Sequence, residues 1–555
     1  MHTKKIVALL LALVLCLGTL AACQQNPAET TKPAETTKPA ETTKPNDSTP
    51  AETEPTEWVN ADYYPLDFDG TLTVGTGRAT ASESAYWVAW EEHTGVDVDW
   101  VTISEEQAPL VFLSEEMPDM LFQISGLTKA QINEYGQGGK LINFMDYLDQ
   151  MPNLKAVYEG DKKIFDAVKD ANGDVYNLPY ICQTLTMASN LFYVRTDMTK
   201  EAGWETLPAT AEDFLKMCED LKNHYANVDG YVPMVCNGTS SVAYNGAYAM
   251  FFFPAFGELM YPDLTTNLEQ TEIVAGFATE QFKNYITFMH ELYANGYMDP
   301  ECFTHDGNWG KAKMIDRTTT MNPFGTYMTP ENFPSGELDI QVMPPMTSQY
   351  QSEARWALPN FYQQGSYMVN AKLEGEELKA ALAFMDALYS IRENPLNKEG
   401  TVWGISIWLG ELGVNYTLDE EEGSYEVIVP EGYDSSSAWN LVAGSGWGAY
   451  LLWPYFQEAT TSSTTKAIGY RDILSPQGVE IFYTSLLTLS QDEQDIYNDC
   501  WTDISTYIAE MNAAFITGSK DIEAEWDTYV KTLYDMGLQD VIDCYQAALE
   551  RYNAQ

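Results

Sequence analysis

The spacing of apolar side chains divides the chain into three parts. An unbroken apolar run, Ile6 to Leu20, follows Lys4 and Lys5 and ends at the small residues Ala21 and Ala22. That layout predicts a secretory signal over 1–22, too short for a span of about 20 residues. Residues 24–57 then carry no large apolar side chain before Trp58, and contain three copies of Pro-Ala-Glu-Thr-Thr-Lys starting at Pro27, Pro33 and Pro39. Such a stretch cannot bury enough surface to offset its ordering entropy, so 23–59 is expected to be a disordered tether. Fully stretched it would reach on the order of 100 Å.

From residue 60 the pattern becomes that of a folded body. Thr71-Leu72-Thr73-Val74 alternates as a strand, and Ala85, Ala89, Trp90 and His93 follow at helical spacing up to Gly95. Val96, Val98 and Trp100 alternate again, and Met120 to Ile124 reads as a buried strand introduced by Pro118-Asp119. Strands separated by helices predict βαβ units and a mainly parallel sheet, hence an α/β fold. Later helices are marked by Thr210 with Asp213, by Phe282, Tyr285, Ile286, Met289 and Tyr293 ahead of Gly296, and by Leu378, Leu382, Met385 and Tyr389. The tail from 493 to 553 is expected to be helical with breaks at Gly518 and Gly537, its apolar stripes, like Trp90 and Trp526, serving as core.

Composition narrows the function. A body of about 500 residues exceeds what one core supports, so at least two lobes are expected. Eighty-one acidic against 30 basic residues give a formal charge of −51, which excludes nucleic acid and anionic membrane surfaces as partners. Beyond Cys16 and Cys23, the six cysteines Cys182, Cys218, Cys236, Cys302, Cys500 and Cys544 are spread too thinly for a disulfide framework or a zinc site, and any pairing stays open. Asp170-Ala171-Asn172-Gly173-Asp174 has the D-x-N-x-D spacing of a calcium loop. The glutamate needed at the twelfth position is missing, Ile181 standing there, so a plain turn is the expected reading and no cofactor is assigned. HExxH, G-x-S-x-G and Walker signatures are absent, which speaks against catalysis, although a carboxylate pair of a glycoside hydrolase would be invisible in sequence.

Leu20-Ala21-Ala22-Cys23 resembles the lipobox of bacterial lipoproteins, which implies a diacylglyceryl thioether on Cys23 and a lipid-anchored chain on the extracellular face of the cell membrane. Five further segments, in order, resemble the extracellular solute-binding proteins of bacterial carbohydrate ABC importers. They are Trp90-Glu91-Glu92-His93-Thr94-Gly95-Val96-Asp97-Val98, Met117-Pro118-Asp119-Met120, Asn172-Gly173-Asp174-Val175-Tyr176-Asn177-Leu178-Pro179-Tyr180, Leu292 to Glu301, and Phe515-Ile516-Thr517-Gly518 with the run Trp526 to Tyr552. Segment 400–470 departs most from that pattern. The resemblance implies two α/β lobes on a hinge around a ligand cleft, of the periplasmic-binding-protein kind, with a helical C-terminal region. One lobe would hold 60–185 plus 356–400 and the other 186–355 plus 401–555. It further implies a monomeric, non-enzymatic receptor that delivers a sugar to ABC permease subunits. An extracellular glycoside hydrolase or a glycan-tethering surface lipoprotein is the alternative.

Sugars present apolar C–H faces and a rim of hydroxyls, so their recognition calls for flat aromatic platforms and forked polar groups. In loops expected at the cleft, Arg78, Gln123, Tyr180, Gln183 and Asn237 supply polar groups and Phe324 an aromatic one. Trp309, Trp356, Trp403 and Trp447 are the stacking candidates, Trp447 foremost because Gly446 and Gly448 flank it.

Overall fold

The computed structural model describes residues 65–77, 85–182, 191–236, 239–304, 309–323, 339–358, 362–389 and 473–554, with short pieces between 405 and 451. The signal, the tether and Cys23 lie outside the described residues, as do Arg78, Gln183, Asn237, Phe324, Trp403 and Trp447.

The alternation at Thr71 and Val96 produces β1 (Thr71–Thr76) and β2 (Asp97–Thr102), parallel and in register from Thr71 opposite Asp97 to Thr76 opposite Thr102. Between them runs α1 (Ala85–Thr94), which buries Trp87 and Trp90 and gives way to Gly95 at φ 70°. β3 (Met120–Phe122) adds to the other side of β1, also parallel. It stops short of Ile124 because Gln123 turns to φ 52°. After α2 (Lys129–Gln137) and α3 (Pro152–Gly160) comes β4 (Leu178–Cys182).

The chain then builds a second sheet from β5 (Phe192–Arg195), β6 (Val232–Met234), β7 (Thr319–Pro323) and β8 (Ile340–Val342), in the order β8-β5-β7-β6. β6 and β7 are parallel, while β5 is antiparallel to both of its neighbours. Two of its helices start at threonine caps, the first as the sequence predicts. Thr210 accepts from Asp213 N ahead of α4 (Ala211–His224), and Thr279 caps α5 (Glu280–Ala294). Phe192, Phe214, Phe251, Phe252 and Phe288 interlock between them at ring separations of 4.9–6.3 Å.

The chain returns to the first sheet as β9 (Tyr362–Val369), antiparallel to both β3 and β4, and continues into α6 (Gly375–Ala387). Phe384 of α6 packs against Trp87 and Phe122 at 6.3 and 5.7 Å. Tyr450–Leu451 extend the sheet beyond β4, so this part of 401–555 adds to the first sheet. The tail forms α7 (Gln491–Thr517), α8 (Ile522–Asp535) and α9 (Leu538–Asn553), broken at Gly518 and Gly537 with φ of 72° and 99°. α7 lies against α5 and α9, joining the tail to the second sheet's helices.

One cap is made from a distance. Met151, before α3, offers no capping side chain, and Asp386 of α6 takes the role. Its carboxylate accepts from Asn153 Nδ2 (2.7 Å), Leu154 N (2.9 Å) and Asn153 N (3.3 Å), and is fully buried. Burial pushes its pKa up to about 7 while those donors pull the other way. Asp386→Ala leaves the donors unmatched and is expected to cost about 3 kcal/mol, read as a lower urea midpoint. Because the folded carboxyl holds its proton more tightly than the unfolded one, the group's contribution is full below about pH 4 and declines as pH rises to about 7. The gap between wild type and variant should narrow over that window.

Candidate functional site

Two crossings decide which strand ends face a common space. The chain passes from Cys182 at the end of β4 to Phe192 at the start of β5, and from Val342 at the end of β8 to Tyr362 at the start of β9. Both crossings join the same two edges. On the first sheet the edge holds the carboxyl ends of β1, β3 and β4; on the second it holds those of β6, β7 and β8. Ligands of α/β proteins bind outside the carboxyl ends of strands. Arg78, Gln183, Asn237 and Phe324 follow β1, β4, β6 and β7 by at most three residues in sequence.

On the first edge, the ends of β1 and β3 and the middle of β9 converge on Gln123. Its backbone N–H donates to Ser366 O at 2.9 Å, and its Nε2 donates to Tyr367 Oη at 3.1 Å. Ser366 has φ 57° and lies in the β9 irregularity between Gln364 and Tyr367, whose N–H is held by Asn177 Oδ1 at 2.8 Å. A Cβ on Gly77 would stand 3.0 Å from Gln123 O, a contact that would require the strand ends to give by a few tenths of an ångström. Of the four described non-glycine residues with positive φ, two are therefore bonded to each other at this edge. Each costs of order 1–3 kcal/mol, and such strain concentrates at ligand sites. Tyr180, on β4 opposite Gln363, is 5% exposed beside them.

On the second edge Asn322 of β7 lies opposite Tyr193 of β5, and both are fully buried. Neither Oδ1 nor Nδ2 of Asn322 meets a hydrogen-bond partner among the described residues. Of the segment Asn322-Pro323-Phe324 the sequence reading selects Phe324 as the contact, although an asparagine inside Thr-Met-Asn-Pro, where strands disfavour it, is a signal.

The two described tryptophan candidates sit differently. Trp309 opens the helix Trp309–Ile315 half-buried, with Lys313 Nζ 4.2 Å from its ring centroid; Lys313 is held by Asp299 at 2.5 Å. Trp356 is 6% exposed among Tyr193, Met314, Ile340, Val342 and Leu474, and its backbone pairs with Gly478. Little of its ring is left for a ligand in this arrangement, and it packs with the second sheet although the boundary at 356 assigns it to the first lobe.

A cavity of about 1050 Å³ opens beside the start of β9. It is walled by α2, residues 167–172, the start of β9 and the segment 484–498, and none of Gln123, Tyr180 or Asn322 lines it. Its shape is fixed by bonds between the first sheet's loops and the tail. Lys129 Nζ donates to Asp166 O (2.9 Å) and Thr488 Oγ1 (2.8 Å), Thr488 Oγ1 to Lys169 O (2.9 Å), and Tyr552 Oη to Asp166 Oδ2 (2.7 Å).

Asp170 nearby closes the D-x-N-x-D loop on itself. Its carboxylate accepts from Asn172 N at 2.8 Å, Asp174 N at 3.0 Å and Gln137 Nε2 at 2.8 Å. Among the described residues no group of three or more His, Cys, Asp or Glu could hold a metal ion, and no helix is long and apolar enough to cross a membrane. Cys218, Cys236, Cys302, Cys500 and Cys544 are free thiols.

Burial pushes the Lys129 ammonium down to about 7; Asp166 and Asp170 oppose the shift and Lys169 adds to it. The folded state thus gives up this proton below the ordinary lysine value of 10.5, and wild-type stability gains as pH rises from about 7 toward 10.5. The melting temperature of wild type relative to Lys129→Met is expected to climb over that range. A difference independent of pH would refute the burial of this charge.

The family profile of bacterial extracellular solute-binding proteins matches residues 89–393. The chain is 23% identical over 514 residues to the fructooligosaccharide ABC transporter substrate-binding protein FusA of Streptococcus pneumoniae, covering 88% of this chain and 92% of FusA. The structure of FusA in complex with kestose superposes with a TM-score of 0.69 at 20% identity, over 87% of this chain and 100% of that one. A solute-binding protein of Bifidobacterium longum infantis, described as HMO binding and ABC-transporter associated, gives 0.68 at 15% identity, over 87% and 99%. At these identities the superpositions establish the two-domain binding-protein fold.

Proposed function

Since this chain belongs to the bacterial extracellular solute-binding proteins, we propose that it captures a carbohydrate, an oligosaccharide, outside the cell and delivers it to the permease of an ABC importer. The observation that carries this reading is the near full-length match to a fructooligosaccharide-binding relative, 514 residues long. The strand edges joined by two crossings support it, because they supply the cleft such a receptor needs. In this reading the lobes follow the two sheets, meeting at the β4 and β9 crossings. Arg78, Gln123, Tyr180, Gln183 and Asn237 line the hydroxyl rim, and Phe324, Trp309, Trp403 and Trp447 offer ring faces. No cofactor is part of the reading. Cys23 carries lipid and tethers the body to the outer face of the membrane through residues 24–57.

A thermal-shift screen of neutral oligosaccharides, kestose included, tests the central claim, since a ligand that binds only the folded state raises the melting temperature. Product formation in the same incubations would make the protein a hydrolase instead. With a hit in hand, Trp447→Ala is expected to weaken binding at least tenfold, a stacked and desolvated tryptophan being worth about 2 kcal/mol, while the apo melting temperature stays put. Small-angle scattering should record a smaller radius of gyration at saturation, as the lobes close on the sugar. For the anchor, Cys23→Ser should release the protein into the medium or leave it unprocessed; mass spectrometry finding an unmodified Cys23 in the native protein would remove the lipid from this account.

A further inference from the structure

Two cysteines distant in sequence meet at the second edge. At the end of β6 the chain runs beside the segment that leaves α5. Met234 N donates to Tyr297 O at 3.0 Å, and Asp299 N donates to Met234 O at 2.9 Å. Cys236 lies just beyond Met234. Cys302 lies in the 3₁₀ turn Pro300–Phe303, which Asp299 caps by accepting from Glu301 N at 3.0 Å. That turn shortens the path on its side of the pairing, so the cysteines arrive next to each other. Cys236 Sγ donates to Cys302 O at 3.5 Å, across 66 positions, and the Cys302 thiol is itself in hydrogen-bond contact with the thiol of Cys236. Both residues are buried, at 4% and 1% exposure. Tyr248 closes another side, its Oη donating to Val235 O at 2.9 Å and touching the Cys302 thiol.

A single buried cysteine is ordinarily a small apolar filler, and that reading suits Cys218, enclosed beneath α4. Two thiols in contact within a protein of an extracellular family stand differently, because disulfides form and persist outside the cell. A bond here would also close a long loop, the kind of closure that most restricts an unfolded chain.

We propose that Cys236 and Cys302 are a redox pair, joined as a disulfide in the working protein. In the form described above both are thiols. The oxidant is an external disulfide, carried by a small molecule or a protein. The thiolate of one cysteine attacks it, forming a mixed disulfide and releasing one thiolate. The other cysteine then attacks the mixed disulfide, which closes the Sγ–Sγ bond and releases the second. The pair gives up two electrons and two protons, and the external disulfide leaves as two thiols. Burial pushes the Cys302 thiol well above the ordinary range, so the attacking thiolate is scarce once the protein has closed. The exchange therefore belongs to the folding chain, before Tyr248 covers the pair.

The bond would fasten two loops of the second edge. Asn237 directly follows Cys236. Asp299, at the head of the other turn, holds Lys313 at 2.5 Å, and the Lys313 ammonium lies 4.2 Å from the Trp309 ring centroid. Oxidation would fix the spacing between those two candidate contacts; this consequence rests on the proposed function, whereas the bond itself does not.

The full chain, unfolded in urea with reductant, is refolded in mixed oxidised and reduced glutathione, quenched in acid, alkylated in denaturant and digested for mass spectrometry. The peptide of Cys236 linked to that of Cys302 is expected as the main disulfide product, with Cys218 recovered alkylated. Protein refolded with reductant throughout should melt at least about 3 °C lower. Cys236→Ser and Cys302→Ser should each abolish the linked peptide and remove the effect of reductant on melting. Should either variant fail to fold, the wild-type comparison, which needs no substitution, decides. The proposal falls if the two cysteines are recovered alkylated or capped by glutathione, if either is linked to a different cysteine, or if the oxidised and reduced proteins melt together. No sugar is added, so a failure here leaves the carbohydrate reading untouched.

Discussion

The backbone passes from a strand of one sheet to a strand of the other beyond β4 and ahead of β9, and these two strands are hydrogen-bonded to each other from Tyr362 opposite Ile181 to Tyr367 opposite Leu178. That pairing fixes where both crossings begin, and therefore which edges of the two sheets are joined. It is braced from α6's end by Tyr389, whose buried Oη donates to Pro179 O at 2.5 Å, and from β4's start by Asn177 Oδ1 on Tyr367 N. The irregularity in β9 arises within the same pairing. There a Cβ on Gly365 would collide with Leu178 O at 2.5 Å, and Ser366 is turned to meet Gln123. The strain at the cleft edge is thus paid for by the sheet that contains it.

Local signals made much of the fold legible in the sequence. The alternation at Thr71 and Val96, the cap at Thr210, and the glycines at 95, 296, 518 and 537 act within one turn or one strand, so their meaning does not depend on distant residues. What stayed hidden is what distant residues supply. Asp386 caps a helix more than 230 positions away, and Gln123 takes its left-handed turn because Ser366 and Tyr367 receive it there. Trp356 reads as a loop residue from its polar neighbours Glu353 and Arg355. It is buried because the two-residue strand Trp356–Ala357 packs over Tyr193 and pairs with 478–479.

The candidate site was legible as a set of places more than as a set of contacts. Residues just beyond strand ends can be named once the strands are named, which is how Arg78 and Phe324 were reached; Gln183 was reached from the hinge approach and Asn237 from its place ahead of a phenylalanine-rich helix. Asn322 was passed over in favour of its neighbour Phe324, because its claim rests on having no partner among the described residues of the folded state. The cavity behind α2 belongs to neither list. It forms where the tail meets α2, and no segment of the sequence carries its outline alone.

The bond between Tyr552 and Asp166 spans 386 positions, and Gln546 and Asn553 reach back to Ile273 and Gln270. A ribosome delivers these residues last. Until they emerge, the loop before β4 and the hairpin around residue 270 lack their closing partners, and the long loops that join them have yet to lose their entropy. The bonds that join the C-terminal helices to these earlier loops are thus among the last contacts of the fold to close.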